Sequence, residues 1–246
     1  MAQTVTVLAF GDSLVHGYGL NPKDGFVPQL QNWLAAREID AEIVNAGVSG
    51  ETTAGGLARI DWTLDSDPDA LILSLGGNDV LRGLLPRDTR HNLEEILSRT
   101  KEAAVPVLLI GQGAPANYGE DYKQEFEAIF PSLADEYQTL LFPSFFAPLE
   151  EAGSLTEILQ TYFQDDGIHP NAAGVARIVD AMGPHIVQLV ERAAARPVPD
   201  QTYVRFWGVE NVLSDNVPHS NWKRVIVLGR NDHSIESRMA SGGLIW

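Results

Sequence analysis

Short apolar runs alternate with longer stretches in which apolar residues recur every three or four positions, a rhythm that predicts βα units around a parallel sheet. Five runs read as strands: "VTVLAF" (5–10), "AEIVNAG" (41–47), "ALILSLG" (70–76), "VPVLLIG" (105–111) and "TLLFP" (139–143). They are mostly apolar without clean alternation, as strands covered on both faces should be. Helical spacing marks 26–38, where Phe26, Leu30, Trp33 and Leu34 recur on one face. It marks 89–104 again through Leu93, Ile96 and Leu97, with Asp88 as the expected amino-terminal cap. A last long helix is expected over 171–195, kinked at Gly183-Pro184.

The rhythm stops after residue 196. Three of the five tryptophans (Trp207, Trp222 and Trp246) fall in 197–246, and the segment carries five basic and five acidic residues. The formal charge of −16 therefore belongs wholly to residues 1–196, where 12 basic residues face 28 acidic ones. Two parts are expected: a domain over 1–196 and a carboxyl-terminal extension of unassigned role over 197–246. The extension offers aromatic anchors for docking on the domain or on a second copy of the chain, which makes a homo-oligomer one of its readings. Deleting it is expected to leave activity largely intact.

Charge and composition narrow the partners. An acidic chain lacks the clustered Lys and Arg that phosphate contacts need, which argues against nucleic acid and against anionic membranes. No run of about 18 apolar residues is present, so no stable membrane insertion is expected. The amino end lacks a basic leader and an apolar signal region, which points to the cytoplasm, or to a periplasmic or secreted chain whose leader has been removed. With no cysteine there is no disulfide, thiolate metal site or cysteine nucleophile. His91, His185, His219 and His233 have no matching partners, so no metal is expected.

In an open α/β sheet, ligands bind outside the carboxyl ends of the strands. The exits here read "GDSL" (11–14), "NAGVSGET" (45–52) and "GGNDVLRG" (76–83), and a later loop reads "DDGIHPN" (165–171). Each alone is ordinary turn chemistry. In this order they resemble the SGNH/GDSL hydrolase family, whose four blocks supply a serine, a glycine, an asparagine and a histidine. Gly11-Asp12-Ser13-Leu14 resembles the first block, Gly50 the second, Asn78 the third, and Asp166 with His169 the last. The intervening "VNAGVSGETTAGGLARI", "LGGNDVLRGLLP" and "APANYGEDY" are similar to the family's bacterial thioesterase, arylesterase and lysophospholipase branch, from about residue 4 to about 193.

The resemblance implies a three-layer α/β/α sandwich with a central parallel sheet, flavodoxin-like, and a serine esterase acting on a small-molecule ester or thioester without a cofactor. The residue chemistry agrees. A serine hydroxyl needs a base to become a nucleophile, and an imidazole needs a carboxylate to fix its tautomer. Ser13, His169 and Asp166 fill those roles, and a tight loop can bring Asp-x-x-His together. The Ser13 N–H, the Gly50 N–H and the Asn78 side-chain amide are the expected oxyanion donors. Leu81, Leu84 and Leu85, just after Asn78, are candidates to line an acyl groove. His16 reads as loop or rim, Asp165 lacks the spacing to His169, and Asp12 and Asp79 read as structural acids bonded to nearby backbone.

Other readings fit less. A phosphate-binding loop wants G-x-G-x-x-G or Gly-Lys-Ser/Thr, absent at this strand exit, and a flavodoxin-like binding module leaves Asn78 and Asp166-x-x-His169 unexplained. An α/β-hydrolase elbow wants glycine at position 15, where valine stands. Carbohydrate acetylesterases and acyltransferases on the same fold remain the nearest alternative.

Overall fold

The computed structural model describes residues 4–196; the expected extension over 197–246 lies outside them. Five strands form one parallel sheet: β1 (Val5–Gly11), β2 (Ala41–Gly47), β3 (Ala70–Ser74), β4 (Val107–Ile110) and β5 (Leu140–Phe142). Their spatial order is β2-β1-β3-β4-β5, so the chain reverses direction across the sheet between β1 and β3. That reversal opens a crevice at the carboxyl edge.

Two short 3₁₀ helices (Pro22–Asp24 and Ala116–Tyr118) and nine α-helices complete the described residues: α1 (Ser13–His16), α2 (Phe26–Ala35), α3 (Thr53–Leu64), α4 (Gly77–Leu81), α5 (Pro86–Glu102), α6 (Glu120–Tyr137), α7 (Ala147–Glu150), α8 (Leu155–Tyr162) and α9 (Ala172–Ala194). Alternate residues of β1 serve two cores. Val5, Val7 and Ala9 pack with Leu30 and Leu34 of α2 and with Ile178, Met182 and Ile186 of α9. Leu8 and Phe10 pack on the other face with Ile60 of α3, Leu93 and Ile96 of α5 and Phe130 of α6. The three-layer α/β/α sandwich is thus present.

The boundaries differ from the sequence reading in informative places. β3 ends at Ser74 rather than at residue 76, because Gly76 turns the chain with φ 115° into α4. The expected cap Asp88 sits inside α5, which begins two residues earlier at Pro86; proline's fixed φ and missing N–H suit a first helical position. Pro184 lies within α9, which runs unbroken from Ala172 to Ala194.

Register brings the strand exits level. Gly11 stands opposite both Gly47 of β2 and Ser74 of β3. The approach is close: a Cβ on Gly11 would lie 2.5 Å from Val15 Cγ2 and 2.6 Å from the Ser74 carbonyl. On the far side, Asn171 fixes the turn into α9. Its Oδ1 accepts from the Ala173 and Gly174 N–H groups, and its Nδ2 donates to the Thr161 and Phe163 carbonyls. Asn171→Ala removes the cap and leaves two carbonyls short of a donor, so we expect a loss of about 1–2 kcal/mol in urea denaturation. An unchanged midpoint would contradict this account.

Candidate active site

Ser13 is the first residue of α1, carried on the exit of β1. Asp12 caps that short helix, its Oδ1 accepting from the Leu14 N–H at 3.0 Å. The serine hydroxyl meets the loop between α8 and α9: Ser13 Oγ lies 2.9 Å from His169 Nε2. His169 Nδ1 lies 2.7 Å from Asp166 Oδ2, while Asp165 makes no such contact. The loop is tightly folded around this pair. Asp166 Oδ1 accepts from the Ile168 and His169 N–H groups at 2.9 and 3.0 Å, and the Gln164 N–H donates to the His169 carbonyl at 2.8 Å. Phe163 bridges to Pro170 across its base. Partial burial would raise the Asp166 pKa, but the two backbone N–H bonds and the imidazole outweigh it and hold the carboxyl down to about 2. It is therefore charged at any ordinary pH.

The Tyr18 ring stands 4.7 Å from the imidazole centre, and Gln164 Nε2 donates to the Tyr18 carbonyl, tying the two loops together. Nothing in the sequence singles out Tyr18. His16, read as rim, is exposed and pairs through Nδ1 with Ser49 Oγ at 3.1 Å, away from the Ser13–His169 contact.

Gly50 and Asn78 emerge from the neighbouring strands. Gly50 adopts φ 80°, a left-handed conformation that favours glycine. Among the described residues no protein acceptor takes the Ser13 or the Gly50 N–H. Asn78, at the start of α4, donates one amide hydrogen to Asp12 Oδ2 at 3.2 Å, which leaves its second N–H for another partner.

Four buried or half-buried charged groups hold these loops, and the sequence reading understated them. Asp12 does bond nearby backbone, yet it also reaches Asn78, 66 residues away. Its burial pushes the carboxyl up to about 6, against the lowering effect of the Leu14 N–H and the Asn78 amide. Asp79, fully buried, does not bond nearby backbone. It accepts from the N–H (2.9 Å) and hydroxyl (2.5 Å) of Thr53 and from the Thr89 hydroxyl at 3.3 Å, linking the β2 exit to α4 and α5. Glu51 forms an ion pair with Arg59, whose guanidinium also donates to the Ala46 carbonyl at 2.8 Å and lies over the Phe10 ring. The long separations in sequence hid the Asp79 and Arg59 contacts.

Leu81, at the end of α4, and Leu84 and Leu85, in the segment joining α4 to α5, are all exposed. That segment is anchored at two points: Arg82 donates to the Gly50 carbonyl at 2.7 Å, and Tyr122 Oη donates to the Leu84 carbonyl at 2.8 Å. Among the described residues no three His, Asp or Glu side chains gather as a metal site, and no helix is long and apolar enough to cross a membrane.

Known proteins resemble this chain in sequence and fold. The profile of the "GDSL-like Lipase/Acylhydrolase family" matches residues 9–177. Esterase TesA of Pseudomonas aeruginosa is 36% identical over 190 residues, which cover 77% of this chain and 91% of that protein. The Escherichia coli protein named thioesterase 1/protease 1/lysophospholipase L1 is 38% identical over 188 residues, 75% of this chain and 85% of that one. The solved structure of AlinE4, an esterase of the SGNH-hydrolase family, is 42% identical and superposes with a TM-score of 0.61 over 76% of this chain and 97% of its own. The chain belongs to the GDSL-like lipase/acylhydrolase family, the SGNH hydrolases, and is a carboxylic ester hydrolase.

Proposed function

We propose that this enzyme cleaves small carboxylic esters and thioesters through a Ser13–His169–Asp166 triad and a covalent acyl-enzyme. The observation that carries the reading is the unbroken relay from Ser13 Oγ to His169 Nε2 at 2.9 Å and from His169 Nδ1 to Asp166 Oδ2 at 2.7 Å. In the first step His169 takes the Ser13 proton while Oγ attacks the ester carbonyl. Asp166 fixes the tautomer with Nδ1 protonated and stabilises the imidazolium, remaining charged itself. His169 then returns the proton to the departing alcohol or thiol. Water, activated by the same imidazole, releases the acid and restores Ser13.

The developing oxyanion takes the Ser13 and Gly50 N–H groups and the second amide hydrogen of Asn78. Asp12 acts through Asn78: by accepting the first amide hydrogen it aims the second. Leu81, Leu84 and Leu85 are assigned to the acyl chain, since their exposure directly after Asn78 gives an apolar wall beside the reacting carbonyl. The names thioesterase, lysophospholipase and arylesterase carried by relatives support including thioesters, lysophospholipids and aryl esters in the proposed range.

Hydrolysis of p-nitrophenyl esters from acetyl to palmitoyl should show turnover that Ser13→Ala lowers by about 10³-fold or more. Equal rates in the two proteins would remove Ser13 from the chemistry. Asn78→Ala should lower kcat by roughly 10²–10³ with KM little changed, because the interaction it loses forms only in the transition state. A near-normal kcat would exclude Asn78 from the oxyanion site.

Asp12 has a pH signature. Its carboxyl titrates at about 6 when folded against 3.8 as a free group, so between those values the folded chain binds the extra proton. The contribution of Asp12 to stability therefore falls as pH rises from about 4 through 6. Subtracting the urea midpoint of Asp12→Asn from that of the wild type should give a difference that declines over this window. A flat difference would show that Asp12 does not carry the extra proton.

A further inference from the structure

Residues 1–196 hold 12 basic side chains. Six of them, Arg37, Arg59, Arg87, Arg90, Arg99 and Lys123, lie within ion-pair distance of a carboxylate. Of the other six, three line a single cleft of about 230 Å³: Lys101, Arg192 and Arg196. No carboxylate among the described residues pairs with any of them. The cleft lies between the carboxyl ends of α5, α6 and α9, at the amino edge of β4 and β5. Ser13 stands at the opposite edge of the sheet.

Helix capping accounts for part of this cluster. Arg192 donates to the Gln138 carbonyl at 3.2 Å, and Arg196 donates to those of Asp69 and Ala103 at 3.1 and 3.4 Å. Ala103 and Gln138 terminate α5 and α6, so these bonds offset the negative ends of two helices. They use three hydrogen-bond donors, where each guanidinium has five. Capping does not involve the Lys101 ammonium, which makes no hydrogen bond to a described residue and lies 5.7 Å from the centre of the Tyr137 ring. The carboxylates acting on the Tyr137 hydroxyl, those of Glu94, Glu136 and Glu95, do not line the cleft. Glu136 is engaged by Arg90, and Glu95 stands 4.0 Å from Arg99.

The cations share the cleft with an apolar wall. Leu97, Val105 and Val107 are buried and line it together with the Tyr137 ring. An inorganic anion would leave that wall unused. The volume, below the roughly 300–1,000 Å³ of drug-sized sites, admits only a small ligand. We propose that this cleft binds a small organic carboxylate, its anionic head held by Lys101, Arg192 and Arg196 and its apolar body resting on the wall and the Tyr137 ring. Ester hydrolysis releases molecules of this class, so the site would sense acids of the kind the enzyme makes.

Benzoate titrated into the isotope-labelled full chain tests the proposal by NMR. The amides of 101–105, 107 and 137–139 should shift saturably, with half-saturation on the order of 1 mM. Benzyl alcohol, the uncharged counterpart, should not shift them. Lys101→Gln, which removes a charge but no protein hydrogen bond, should weaken binding several-fold while p-nitrophenyl acetate turnover stays unchanged. The combined K101Q/R192Q/R196Q variant should weaken it about tenfold or more, as should NaCl at about 0.5 M. Four results would each overturn the site: shifts confined to Gly50, Asn78 and His169; inorganic phosphate binding as tightly as benzoate; no saturation by about 50 mM; or equal affinity in Lys101→Gln.

Discussion

Gly11, Gly47 and Ser74 lie side by side where three parallel strands end, and the rest of the site is hung from that alignment. In a parallel ladder the register of one strand fixes the level at which its neighbours exit, because the bonds are evenly spaced along the pair. A shift of one residue would turn Val7 and Ala9 away from α2 and α9 and send Leu8 and Phe10 into the wrong layer, so burial on both faces enforces the register. Asp12-Ser13, Gly50 and Asn78 then leave the sheet within one crevice without any of them having to reach. The small residues at the three ends let the chain turn there in contact with its neighbours.

Above that edge the chain no longer has strand bonds to hold it, and buried charge takes over. Arg59 pairs with Glu51 and donates to the Ala46 carbonyl, Asp79 accepts from Thr53 and Thr89, and Asp12 accepts from the Leu14 N–H and the Asn78 amide. Desolvating such groups is expensive, which is why Arg59, Asp79 and Asp12 each have more than one partner and Glu51 takes a close ion pair. Asp12 shows the cost directly: burial raises its pKa even though two donors oppose the rise. What the fold gains is geometry. Three loops from three strands are held to hydrogen-bond tolerance instead of drifting as surface connections do.

Local chemistry was the part of this most readable from the amino-acid order. Strand runs such as "AEIVNAG" carry their own signal in apolar content, and the Asp166-x-x-His169 pair meets across only three residues. Where sequence and structure part, a neighbour decided the matter. Pro86 starts α5 ahead of Asp88 because its ring is already set for the first turn. The amphipathic pattern of α3 is diluted by Gly55, Gly56 and the exposed Trp62, and that of α6 by Pro131 in its interior. Asp79 reads as an acid bonded to its own loop and Arg59 as an ordinary surface charge until tertiary packing gives them Thr53 and the strand-end carbonyls. No local spacing encodes such pairings.

The Ser13–His169 hydrogen bond joins residues 156 positions apart. One partner sits on the exit of β1, second from the edge of the sheet, and the other sits in the loop before α9. No fragment that forms early can contain both, since the chain between them must first build the sheet and dock α9 upon it. Formation of this hydrogen bond therefore comes late, at completion of the domain over 4–196, whereas recovery of helical signal can run well ahead of it.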